Sequence, residues 1–173
     1  CVGCHEHRLS SPPRQPKALA LKRPASEIEP GPDGSKPLSY PLLVQPVLDR
    51  LCVKCHSGDA PAGPENNPIV LTGEPEGQYS KSYNVLAKRV PFSSWGKLDE
   101  NGEPATQPER FGARASSLMK MLLEGHQKVE LNDEDRDRLI TWMDANALFY
   151  GTFNPDDQAR QLRGERIAGV ALE

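Results

Sequence analysis

Hydrophobic positions along this chain come in short bursts separated by long polar and proline-rich stretches. The clearest burst is "SYPLLVQPVLDRLCVKCH", residues 39–56. Pro46 suits the first turn of a helix, where a missing N–H costs no hydrogen bond. Val47, Leu48 and Leu51 recur at helical spacing and lead into Cys52 and Cys55. "SKSYNVLAKRV" predicts a second short helix. "ARASSLMKMLLEGH" predicts a third, with Leu118, Met119, Leu122 and Leu123 inward and Gly125 as its C-terminal cap. "LNDEDRDRLITWMDANALFYG" predicts a fourth. Asn132 caps it, acidic residues crowd its positive end, and Leu139, Ile140, Trp142 and Met143 form its buried stripe.

The intervals read differently. Residues 10–38 hold seven prolines and "PGPDGS". Repeated proline denies helix and sheet their hydrogen bonds, so the stretch reads as a meander wrapped over a surface. Ser57 to Ser80 and Pro91 to Phe111 read as loops, the latter carrying Trp95. Residues 154–173 are polar with mixed charge and read as an extended tail. The expected class is mainly α and loop-rich, without a substantial sheet. One domain is expected over residues 1–153, its last helical region lying at 113–150.

Composition sharpens this picture. The chain has 173 residues, 36% of them hydrophobic and only 6% aromatic, with 17 prolines. That is lean for packing by side chains alone, and such chains need a staple. All four cysteines lie in two CxxCH motifs, "CVGCH" at 1–5 and "CVKCH" at 52–56, so none remains for a structural disulfide. The formal net charge of −3 gives no reason to expect nucleic acid. No apolar run approaches the roughly 20 residues that span a membrane. Because residue 1 already belongs to a motif, the chain reads as a piece of a longer protein with other domains.

CxxCH has a geometric meaning. Two thiols two residues apart match the two vinyl groups of one haem, and the next histidine falls under the iron. A dithiol redox pair would need a βαβ pattern, which is missing. A zinc site from Cys1, Cys4, Cys52 and Cys55 fits the spacing but leaves the histidine after each pair unexplained. Two covalent c-type haems are therefore expected, on Cys1, Cys4 and His5 and on Cys52, Cys55 and His56.

Two six-coordinate haems need four axial ligands. The motifs supply His5 and His56, and the spare donors are His7, His126, Met119, Met121 and Met143. Methionines on a helix stripe are commonly core packing. His126, directly after a helix-ending glycine, is the expected distal ligand. His7 stays open, because two extended residues span only about 7 Å. It can wrap to the distal face, replace His5 as proximal ligand, or donate to a propionate or the neighbouring haem. A methionine-ligated or open first haem is the other possibility.

"PGPDGSKPLSYPLLVQPVLDRLCVKCHSG" and "SSLMKMLLEGHQKVELNDEDRDRLITWMDANALFYGTF" together resemble the dihaem C-terminal region of hydrazine-synthase alpha-subunit-like proteins, large secreted multidomain cytochromes of planctomycete bacteria. The likeness runs from Cys1 to about Phe153. It implies that His126 is the distal ligand of the second haem. It also implies a tyrosine soon after the first motif and an extra zinc-binding cysteine. Neither is present, since no tyrosine precedes Tyr40 and no cysteine is spare. Shared architecture does not carry the activity with it.

The leading function is electron transfer to redox partner proteins by a dihaem cytochrome domain. Covalent haem attachment places it in the periplasm or at the cell surface. One alternative is a haem enzyme, peroxidase-like or hydrazine-synthase-like, whose first haem admits a small ligand. A haem-stapled structural module is the third. No Ser/His/Asp set, phosphate loop or carboxylate pair stands out, and Glu6 and the run Asp133–Asp135 read as solvated or capping.

Overall fold

Tyr40 sits at the centre of the core, completely buried, with its ring 5.1 Å from Tyr83, 5.2 Å from Trp142 and 5.4 Å from Phe149. The chain around it is seen in a computed structural model that describes residues 19–27, 29–32, 34, 36–58, 69–92 and 109–169. A 3-10 turn at Leu19–Lys22 precedes α1 (Tyr40–Leu43) and α2 (Gln45–Leu51). A hairpin of β1 (Pro75–Glu76) and β2 (Tyr79–Ser80) runs into α3 (Lys81–Leu86) and a 3-10 turn at Ala87–Arg89. Then come α4 (Gly112–Ala115), α5 (Ser117–Glu124), α6 (Asp133–Asp144) and α7 (Pro155–Leu162). The described residues are mainly helical and rich in loops, as expected.

Local chemistry explains the boundaries. Pro41 and Pro46 stand in the first turns of α1 and α2. Asn132 Oδ1 accepts the Asp135 N–H at 2.7 Å and starts α6, behind which Asp133, Glu134 and Asp135 meet the positive end of the helix dipole. Leu139, Trp142 and Met143 are buried along α6, and Ile140 is half-buried. Trp142 donates its indole N–H to Leu148 O at 3.1 Å, so its polar edge is satisfied inside the core.

Three local expectations are corrected. The third expected helix is two helices, because Ser116 takes an extended conformation and caps a new start by accepting the Met119 N–H. Leu123 points outward and is 69% exposed. At 100° per residue, Leu118, Met121 and Leu122 share one arc and Met119 sits beside it, leaving Leu123 beyond its edge. The third correction is at the C-terminus, where Pro155–Leu162 is a helix rather than an extended tail.

That last helix has a clear cause. Asn154 Oδ1 caps it, Pro155 opens it, and Asp156 and Asp157 fill its first turn. Gln161 is buried and bonded twice, donating to Leu38 O at 3.0 Å and accepting the Gly151 N–H at 3.0 Å. Gly151 must lack a side chain there, since a Cβ would stand 2.4 Å from Leu38 O and 2.5 Å from Leu38 N. Ser39 and Tyr150 form the adjoining antiparallel bridge.

Candidate functional site

Helix α2 ends directly in the second CxxCH motif. Leu48 O accepts the N–H groups of Cys52 at 2.8 Å and Val53 at 2.9 Å. Cys52 O then accepts from Cys55 and His56, both at 3.0 Å. The motif therefore coils as tight turns, which brings residues three and four apart to one side. Cys52, Cys55 and His56 all line one cavity of about 450 Å³.

His126 lines the same cavity. Helix α5 stops at Gly125, whose φ of +94° favours glycine, and the next residues turn sharply. Gln127 and Lys128 both take left-handed conformations, and Val129 N–H closes the turn on His126 O at 2.8 Å. Non-glycine residues in this region cost free energy and cluster at functional sites. Here they turn the chain at His126.

The two imidazoles have centroids 6.2 Å apart and planes 17° from parallel. A metal–imidazole bond of about 2.0–2.1 Å plus about 1 Å to the ring centre puts two ligands of one ion roughly 6 Å apart. His56 Nδ1 lies 3.2 Å from Ile69 O. A carbonyl only accepts, so Nδ1 carries a proton, and in the neutral ring this leaves Nε2 as the atom that can bind metal. Among the described residues, no three His, Cys, Asp or Glu side chains converge to hold a bare metal ion. Two imidazoles and an apolar slot suit a metal that brings its own equatorial ligands.

The lining fits such a group. Leu48, Leu71, Leu86, Leu118, Leu122 and Leu139 give apolar walls, while Arg50, Lys54 and Lys128 supply cations. A haem has an apolar face and two carboxylates, and the volume lies in the range of cofactor sites, about 300–1,000 Å³. Burial pushes the Cys52 thiol above its usual range, and Cys55 beside it adds to this. Both thiols are free for thioether bonds. The haem fits.

The sequence-expected residues divide cleanly. Cys52, Cys55, His56 and His126 meet at the cavity, and Met121 lines it too. Met119 and Met143 are buried core. Cys1, Cys4, His5, His7 and Trp95 lie outside the described residues.

Asp135 departs from the expected reading of the run Asp133–Asp135 as solvated or capping. It is 3% exposed and forms an ion pair with Arg50, tying α6 to α2 beside the cavity. Its position four residues before Leu139 and seven before Trp142, on the inward stripe, was the available signal. Gln45, buried behind the motif, carried no such signal.

The chain matches no protein-family model, no curated protein and no solved structure.

Proposed function

We propose that this chain is a dihaem c-type cytochrome domain that transfers single electrons, part of a larger secreted redox protein. The observation that carries the reading is the His56–His126 pair, at ligand spacing across an apolar cavity that two motif cysteines also line. Cys52 and Cys55 would hold one haem, with His56 as proximal and His126 as distal ligand. Cys1, Cys4 and His5 would hold the other, with His7 as a candidate sixth ligand. The haem supplies a one-electron Fe(III)/Fe(II) couple.

The residues of the chain do the rest. Ile69 O fixes the His56 tautomer and ring orientation. The leucine walls exclude water and lower the local dielectric, which tunes the potential. With His56 and His126 both engaged as ligands, a haem held here would have no position left for substrate, which favours electron transfer over catalysis at this site. The likeness to hydrazine-synthase alpha-subunit-like proteins is part of the proposal, as are the periplasmic or cell-surface location and docking to redox partner proteins. Among the described residues no helix is long and apolar enough to cross a membrane.

A pyridine haemochrome assay tests the reading. It should find two covalent haems per chain, and fewer than two would contradict it. Cyanide or nitric oxide should leave the haem at Cys52 and Cys55 unchanged.

A further inference from the structure

Gln45 is 7% exposed and has every strong polar group engaged. Its Nε2 donates to Asp49 Oδ1 at 2.7 Å and to Leu71 O at 3.1 Å. Its Oε1 accepts from Ser82 Oγ at 2.6 Å. Two acceptors on one side and a donor on the other leave the amide a single orientation. The backbone makes room for it, because a Cβ on Gly73 would stand 3.0 Å from Gln45 Cγ and 3.1 Å from Cδ.

The residue that Gln45 grips is the one that grips His56. Leu71 N–H donates to His56 O at 2.8 Å, and Ile69 O lies 3.2 Å from His56 Nδ1. Residues 69–71 therefore hold His56 by both backbone and ring, and Gln45 holds residues 69–71 from behind.

We propose that Gln45 is a positioning residue for the proximal ligand. By bracing Leu71 O, it sets how tightly Ile69 O accepts the His56 Nδ1–H bond and so tunes the iron's potential. This rests on the haem reading above. A stronger Nδ1–H bond makes the imidazole more basic and stabilises the ferric state. Loosening it favours the ferrous state.

The test is spectroelectrochemical titration of the holoprotein carrying Gln45→Met, which keeps volume and removes both donors without adding charge. At fixed ambient potential, the reduced-to-oxidised ratio of one haem should rise by roughly three- to tenfold, while the other haem is unchanged. Gly73→Ala, which leaves Gln45 in place but crowds its stem, should shift the same haem in the same direction by less. It decides the matter if Gln45→Met does not mature. Gln161→Leu, at a buried glutamine bonded to Leu38 and Gly151 rather than to residues 69–71, should lower stability and leave both potentials alone.

Unchanged potentials in Gln45→Met and Gly73→Ala with both haems attached would overturn the inference, even if the melting temperature falls. An equal shift in Gln161→Leu would overturn it too. Failure of the underlying haem reading looks different, since wild-type peptide 52–56 would then carry no haem mass.

Discussion

Gln161, on the last described helix, donates to the carbonyl of Leu38, more than a hundred residues earlier in the chain, and accepts from Gly151. The bond pins α7 and the end of the proline-rich segment to one point. Both bonds are partly buried and depend on this one side chain, which reinforces the neighbouring Ser39–Tyr150 bridge. Gln161→Leu should therefore lower holoprotein stability by about 1–3 kcal/mol in urea unfolding. A change under about 0.5 kcal/mol would mean that α7 is not docked in solution.

Arg50 and Asp135 join α2 to α6 at the cavity edge. Asp135 is the buried member and Arg50 is half exposed, so the loss on breaking the pair should fall below that of a fully buried one. Arg50→Met should cost about 1–3 kcal/mol by chemical denaturation, because it strands a carboxylate. Adding Asp135→Leu should recover much of that loss. No recovery in the double variant would show that the pair does more than neutralise Asp135.

Alkaline pH should act on the aromatic core. Burial pushes the Tyr83 phenol up to about 12, helped by neighbouring Tyr79, and burial raises Tyr40 further. The unfolded chain ionises its tyrosines near pH 10, about two units before Tyr83 does in the fold. Stability from these groups is therefore complete below about pH 10 and falls as pH rises toward 12. Unfolding followed from pH 8 to 12 should show a flat region and then a decline. Tyr83→Phe, which loses the bond to Ala147 O, should be less stable at pH 8 but decline less steeply.

Much of the site was legible because it rests on local signals. CxxCH marks Cys52, Cys55 and His56, Pro46 and Asn132 mark helix starts, and a histidine after a helix-ending glycine is conspicuous. Leu123 was misread because two adjacent apolar pairs, 118–119 and 122–123, spread over about 140° of the helix and cannot all face one way. The capped start at Asn154, Pro155, Asp156 and Asp157 was readable, but the polar composition around it outweighed the signal. Gln45 and Gln161 were not legible. Their roles come from carbonyls distant in sequence, and a lone glutamine does not announce a buried partner.

The most direct test of the central claim is electron paramagnetic resonance of the oxidised holoprotein beside its His126→Ala variant. The planes of His56 and His126 lie 17° from parallel. Near-parallel imidazoles across one ferric haem give a well-resolved rhombic low-spin signal rather than a single strongly shifted low-field feature. The wild type should show that rhombic signal, and His126→Ala should replace it with a high-spin signal that cyanide converts back to low spin. A low-spin signal unaltered by His126→Ala would contradict the account.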